Sequence, residues 1–358
     1  MKKRWWLLLG VIGMSVGLFN SCATQPQKFQ NTETVYKAGL GKMVGIIAAY
    51  ARAERAAPVP RAPLPLQTIT KEILTNNEGQ PTIYRLGHSS VLIHLDGEFV
   101  LTDPVFSERA SPVQWMGPKR FHPLPLSLQD LPALKAVIIS HDHYDHLDKT
   151  SVRTLDKKVE RFIVPTGVGD YLRGWGVASG KIIELAWWQS FSIGSLQFTA
   201  TPAQHFSGRG LTDRDKTLWA SWVIAGHEAR IFFSGDSGYF GGFREIGERF
   251  GPFDLTLIET GAYNDLWSEV HMLPEESVQA HLDLRGRAMV PIHNSTFDLA
   301  LHDWFEPLER ASMAAEAHGA TVLTPVIGAP VNVLTPAPTQ AWWRKFTVEE
   351  QVELATQP

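Results

Sequence analysis

Ala136-Val137-Ile138-Ile139-Ser140-His141-Asp142-His143-Tyr144-Asp145-His146-Leu147-Asp148 is the stretch that decides how this chain folds. Ala136 to Ile139 is an apolar, β-branched run, which predicts a buried strand. The strand ends where a His-x-His-x-Asp-His run begins. Imidazole nitrogen and carboxylate oxygen are ligand types that divalent zinc accepts readily. Packing His141, His143, Asp145 and His146 into six residues just past a rigid strand preorganises a site at little entropic cost.

Working outward, three more residues sit at or near the ends of short apolar runs. His205 follows Phe198-Thr199-Ala200-Thr201-Pro202, Asp236 follows Ile231-Phe232-Phe233-Ser234-Gly235, and His293 follows Met289-Val290-Pro291-Ile292. Strand ends are where α/β folds gather functional residues. The intervals are too long for one finger-like metal knuckle and suit a site assembled from several strand ends. Five histidines and two aspartates thus have the order and spacing of a two-metal hydrolase site.

The text around these residues resembles the metallo-β-lactamase-fold superfamily, and more closely its N-acylphosphatidylethanolamine-hydrolysing phospholipase D branch. The matching blocks are Leu86-Gly87-His88-Ser89-Ser90, Leu101-Thr102-Asp103-Pro104, Met116-Gly117-Pro118-Lys119-Arg120-Phe121 and the His141 run. They continue with Thr201 to His205, Gly235 to Tyr239, Arg249-Phe250-Gly251-Pro252-Phe253-Asp254, His271 to Glu276, and Ile292 to Phe297. Together they span roughly residues 80–335. The metal motif alone identifies the superfamily; the Met116 and Arg249 blocks are far more specific to the branch.

The resemblance implies a four-layer αββα sandwich, where sequence pattern alone says α/β. It implies two Zn2+ ions, or other divalent metals: one held by His141, His143 and His205, the other by Asp145, His146 and His293, with Asp236 bridging. Two cations sharing a carboxylate lower the pKa of water and stabilise attacking and leaving oxygens. Asp145 would also orient the nucleophile, and His271 would bind substrate or protonate a leaving group. Asp103 would fix a ligand histidine through a hydrogen bond. His88 matches the branch as well, but reads best as a buried structural histidine; His94, His122, His227, His281, His302 and His318 read as structural or solvent-exposed.

The implied activity is hydrolysis of N-acylphosphatidylethanolamine, or a related phospholipid, to N-acylethanolamine and phosphatidic acid. Lys119 and Arg120 lie in the long, proline-rich stretch from Phe106 to Pro132, with Trp115 and Phe121 beside them. They could meet a lipid phosphate, although solvated surface charge is an equal reading. Trp187, Trp188, Trp219, Trp222 and Trp267 could line an acyl groove, but core packing is the better default at each. The alternatives are another metal-dependent hydrolase on this scaffold, a lactonase or nucleotide phosphodiesterase, and a non-catalytic envelope binding protein. An intact ligand set argues against the last. No Gly-x-Ser-x-Gly elbow occurs, which disfavours a serine hydrolase.

The ends of the chain carry separate signals. Lys2, Lys3 and Arg4 precede the apolar stretch Trp5 to Phe19, and Ser21-Cys22 follows, so Met1 to Cys22 reads as an export signal. Cys22 is the one cysteine, which excludes an intramolecular disulfide and resembles a bacterial lipid-attachment site. An exported lipoprotein of the outer membrane or cell envelope is expected; a plain signal peptide with an incidental cysteine is the alternative.

Residues 23–67 read as a polar tether, an amphipathic helix and the linker Pro58 to Pro65. The helix carries Leu40, Met43, Val44, Ile47 and Ala51 at helical spacing, with Lys37, Lys42, Arg52 and Arg55 on or near its other face. It would dock on its own domain or lie on a membrane surface. Residues 68–340 read as the catalytic domain and 341–358 as a tail. Within the domain, Asp96-Gly97 predicts a hairpin turn and Glu275 to Leu284 a helix. A formal charge of −4 argues against nucleic acid as partner. The expected partners are a phospholipid or other amphipathic substrate and the membrane, and a homodimer is compatible with the sequence.

Overall fold

The computed structural model describes residues 28–347, other than 35, 37, 38, 77, 78 and 211. The expected export signal with Cys22, residue Lys37 and the tail beyond 347 lie outside the described residues. Six strands follow one another in a first sheet: β1 (Thr82–Gly87), β2 (Ser90–Leu95), β3 (Glu98–Thr102), β4 (Leu134–Ile138), β5 (Val159–Pro165) and β6 (Ile182–Leu185). A second sheet holds β7 (Ser190–Ile193), β8 (Leu196–Thr201), β9 (Ser221–Ala225), β10 (Arg230–Phe233), β11 (Phe253–Glu259) and β12 (Gly286–Ile292). β13 (Pro330–Asn332) returns to pair with β1 at the edge of the first sheet.

Successive side chains on a strand face opposite ways, and here both faces are apolar. Val91, Ile93, Val100, Ala136 and Ile138 meet Phe198, Trp222, Ile231, Phe233, Leu257 and Val290 between the sheets. Their neighbours Leu92, Leu101, Val137 and Phe162 face outward under the helices Lys149–Leu155 and Gly169–Gly174. On the far side Phe232, Ile258 and Met289 pack under Gly242–Phe250, Pro274–Asp283 and Glu306–His318. Helices outside two face-to-face sheets make the αββα sandwich that the resemblance implies.

The Asp96-Gly97 turn is present between β2 and β3. Both residues have positive φ, +52° and +77°, as a type I′ turn requires, and Leu95 pairs with Glu98 across it. From β3 to β6 the strands are parallel, as are β10, β11 and β12. Their carboxyl ends therefore open on one rim of the sandwich. The predicted helix near Glu275 runs from Pro274 to Asp283, with Pro at its start. Among the described residues no helix is long and apolar enough to cross a membrane.

The N-terminal helix, Leu40–Arg52, docks on the domain, and of the expected stripe Val44, Ile47 and Ala51 face away from it. Ile46 is buried, and Tyr50 stacks on Trp267 at 6.3 Å between ring centres. Val44 and Ile47 stay exposed at 58% and 48%. The basic residues explain the rotation. Lys42 pairs with Glu269 at 2.8 Å and Arg55 with Asp298 at 2.5 Å, so they face the domain and not solvent. Residues 341–347 also pack inward: Trp343 is buried, and its indole N–H donates to Glu309 at 2.8 Å.

Candidate metal centre

The rim where these strands end collects every residue singled out as a ligand. His141 lies three residues past β4, and the next turn carries His143, Asp145 and His146. Asp148 closes that turn by capping the helix Lys149–Leu155, accepting from the amides of Thr150 and Ser151. His205 lies in irregular chain after β8, Asp236 three residues past β10, and His293 directly after β12. The side chains then fall into two trios. His141 Nε2 is 2.9 Å from His143 Nδ1, and His205 Nε2 is 3.3 Å from the same nitrogen. His293 Nε2 and His146 Nε2 stand 3.3 and 3.4 Å from Asp145 Oδ2.

Asp236 lies between the trios. Its Oδ2 is 3.0 Å from His293 Nε2, 3.1 Å from His146 Nε2, 3.8 Å from His141 Nε2 and 3.9 Å from His205 Nε2. The ligand atoms fit cations better than they fit one another. His146 Nε2, His293 Nε2 and Asp236 Oδ1 are buried without a hydrogen-bond partner among the described residues. Such orphans are rare in a folded interior. Electrostatics agrees. Burial opposes charge on His146 and His293, yet Asp236 and Asp145 outweigh it and hold both imidazoles protonated, His293 up to about 9. The two carboxylates demand positive charge at this spot, and divalent cations supply it with neutral imidazoles as ligands.

Each trio has supports. Asp103, just past β3, is fully buried and accepts from His146 Nδ1 at 2.7 Å. It also accepts from Ser140 N at 2.7 Å and Ser140 Oγ at 2.5 Å. In the neutral imidazole that contact would leave His146 Nε2 as the lone-pair nitrogen, as a metal ligand needs. His205 Nδ1 donates to the Val270 carbonyl at 2.8 Å, with the same effect. His88 is buried, as read from sequence, but it belongs to the site: its Nε2 lies 3.1 Å from Asp145 Oδ2. Burial and neighbouring His293 push it down to about 3, so it is neutral and donates. His88, Asp103 and His293 all have left-handed backbone, with φ of +50°, +33° and +62°.

One carboxylate was not foreseen. Glu259, the last residue of β11, is fully buried beside the centre. It accepts from the Ser237 amide at 2.6 Å and bonds to His271 Nδ1. Burial and nearby Asp236 raise its carboxyl well above the ordinary range. His271 therefore sits in the cluster as expected, with its ring 5.0 Å from His205 and 5.6 Å from His293 between centres.

The Phe106 to Pro132 segment forms no regular element beyond a bridge between Arg109 and Lys119. Its four candidates divide. Trp115 is 77% exposed. Lys119 is exposed and 3.8 Å from Glu108. Arg120 turns inward and donates to the carbonyls of Val105 at 2.9 Å and Ser107 at 3.3 Å, which ties the loop down. Phe121 packs beside Trp304 and, with His293, lines a narrow cleft. Trp219, Trp222 and Trp267 are core residues; Trp188 stacks on Phe250 and Trp187 donates to the Trp219 carbonyl.

A family profile described as the β-lactamase superfamily domain matches residues 98–294. The chain is 47% identical, over 82% of its length and 79% of the relative's, to an uncharacterised protein of Mycobacterium tuberculosis. It is 36% identical to N-acyl-phosphatidylethanolamine-hydrolyzing phospholipase D 1 of Caenorhabditis elegans, over 71% of this chain and 75% of that one. Among solved structures, a metallo hydrolase from the hyperthermophilic archaeon Ignicoccus hospitalis shares the fold. Its TM-score is 0.55 at 22% identity, over 70% of this chain and 97% of that one.

Proposed function

We propose, for a chain that belongs to the metallo-β-lactamase superfamily and to its N-acylphosphatidylethanolamine-hydrolysing phospholipase D branch, a zinc-dependent phosphodiesterase. It is a metal-dependent hydrolase, and its substrate is N-acylphosphatidylethanolamine or a related phospholipid. The products are an N-acylethanolamine and phosphatidic acid. The observation that carries this reading is Asp236 standing between two trios, with its Oδ2 3.0 Å from His293 and 3.8 Å from His141.

His141, His143 and His205 would hold one ion; Asp145, His146 and His293 would hold the other, with Asp236 shared. The ions, when bound, acidify water and offset negative charge on phosphoryl oxygens. The chain's own side chains do the rest. Asp145, kept anionic and steered by the His88 contact at 3.1 Å, orients the attacking water. Its oxygen forms a bond to phosphorus as the bond to the ethanolamide oxygen breaks. His271, braced by Glu259, hands a proton to that leaving oxygen and is resupplied by the proton that the attacking water gives up. Cys22, outside the described residues, would carry lipid and keep the protein at the cell envelope beside its substrate.

The test uses purified, zinc-loaded full-length protein against a panel of phospholipids and a lactone, in water enriched in heavy oxygen. Turnover of the N-acylated phospholipid with label in the phosphatidic acid is expected. Label in the alcohol product would mean carbon–oxygen cleavage. Brisk lactone hydrolysis without phospholipid turnover would assign the site to another hydrolase.

A further inference from the structure

One trio residue is held from outside the domain that supplies it. Residues 202–208 have no regular structure, so His205 has no ladder or helix to satisfy its main chain. Both of its main-chain groups are instead taken by one side chain from the N-terminal segment. Asn31 Oδ1 accepts from His205 N at 3.0 Å, and Asn31 Nδ2 donates to His205 O at 2.9 Å. The same Oδ1 accepts from the indole of buried Trp219 at 2.9 Å, which fixes the amide's orientation. An amide that bonds the N–H and the C=O of one residue acts as a one-residue strand partner. It locks the peptide planes on both sides of the ligand.

The contact is part of a longer strap. Phe29 N donates to Asp215 O at 2.9 Å, Gln204 Nε2 to Thr34 O at 2.9 Å, and Gly241 N to Glu33 Oε1 at 2.9 Å. The Tyr36 ring stacks on Phe206 at 5.5 Å between centres. Phe206 in turn contacts the rings of His143 at 4.6 Å and His205 at 4.7 Å. The strap thus reaches the first trio twice, through the His205 backbone and through an aromatic stack. It lies upstream of residues 98–294, the span that matches the superfamily profile.

We infer that Asn31 is a positioning residue for the first metal site, and that the segment carrying Phe29, Asn31, Glu33, Thr34 and Tyr36 completes that site instead of only tethering the domain. The inference rests on His141, His143 and His205 holding a metal. A ligand must be held within about 0.5 Å of its productive place, and His205, on irregular chain like His141 and His143, is the trio member whose N–H and C=O both bond to one side chain. Loss of a partner that orients a ligand lowers metal affinity or activity roughly 10–100-fold. A contact made through the backbone belongs at the lower end of that range.

The test compares full-length wild type with Asn31→Ala and Asn31→Asp. Asp keeps the acceptor for His205 N and Trp219 and loses the donor to His205 O, so it reports if the Ala variant does not fold. Cobalt and zinc are titrated against a competing chelator, and metal-free unfolding is measured in parallel. The expected result for Asn31→Ala is one binding step weakened about tenfold, with altered cobalt absorption for that step, the other step unchanged and kcat reduced at similar KM. Asn31→Asp falls between. Two steps as tight as wild type in both variants, or both steps weakened in proportion to a loss of metal-free stability, would overturn the assignment. A wild-type chain that takes up no metal would overturn the centre itself, and the clamp with it.

Discussion

Replacing Asp103 by Asn tests whether the metal centre is built from its supports. The side chain is fully buried and accepts three hydrogen bonds, two from Ser140 and one from His146 Nδ1. Asn keeps the volume but offers one acceptor oxygen and one NH2. If the oxygen faces His146, the NH2 confronts the Ser140 amide, and a buried donor loses its partner. If the amide is turned, His146 Nδ1–H meets a donor and the imidazole is driven toward the tautomer that cannot present Nε2 as a ligand. The first arrangement costs about 1–3 kcal/mol for an unmatched buried group. Part of that is offset, because burial already raises the Asp103 carboxyl above its ordinary range and the substitution removes a buried charge.

The second arrangement falls on the metal. Loss of a carboxylate behind a ligand histidine lowers affinity about 10–100-fold, or about 1.4–2.8 kcal/mol. The expectation for Asp103→Asn is therefore a small change in metal-free stability and a large change at the ion held by His146. Chelator-competition titration and metal-free urea unfolding separate the two. An Asp103→Asn variant that bound both ions as tightly as wild type would refute the argument that this contact sets the His146 tautomer.

Asp145→Asn should bring turnover down by several orders of magnitude, since it removes the charge that binds metal and orients water; circular dichroism should show the fold retained, and near-wild-type rates would count against the role. His281 is buried, bonded to Thr256 Oγ1 at 2.8 Å, and pushed down to about 4 by burial. Its folded pKa lies below the unfolded value of about 6.5, so its contribution is present above pH 6.5 and lost as pH falls toward 4. In chelator, wild type should lose about 2 kcal/mol more than His281→Gln between pH 7 and pH 5; equal losses would mean that the imidazole is not held neutral. Cys22→Ser should move the protein from the membrane fraction to the soluble one, because acyl anchoring scales with buried methylenes at about 0.8 kcal/mol each; full retention in the membrane would shift the credit to the exposed Val44 and Ile47 face.

The candidate metal ligands were legible because their chemistry is written locally. Four of them crowd into six residues after an apolar run, and the other three each follow a strand pattern. Glu259 was not legible for the opposite reason. It ends Leu255-Thr256-Leu257-Ile258-Glu259, where a glutamate after an apolar strand reads as a solvent-facing terminus. Only the parallel pairing of β11 with β10 and β12 places it on the ligand rim. His88 was legible as buried but not as Asp145's partner, since that contact spans the fold.

Arg120 illustrates a different gap. Sequence supplies the charge and not its direction, and the backbone carbonyls of Val105 and Ser107, where the loop begins, draw it inward. The N-terminal helix shows the same limit, because Glu269, far along the chain, pairs with Lys42 on its inward face, and Asp298 anchors Arg55 just past its end. Asn31 lies in a polar stretch with no periodicity, so nothing local announces a contact with His205.

His88, Asp103 and His293 share a left-handed backbone that non-glycine residues seldom adopt, although His and Asp enter it more often than most. Each such residue costs on the order of 1–3 kcal/mol, against a total folding stability of roughly 5–15 kcal/mol. The rim is thus one place where this fold has stability to recover, alongside positive-φ residues outside the candidate site such as Trp188 and Arg285. Laboratory selection for heat resistance alone would be drawn to glycine at these three positions and would remove a candidate ligand or its brace with each gain. Thermotolerant variants of this protein should therefore be sought with turnover kept under selection, and the improvements found in the sheets and outer helices, where nothing opposes them.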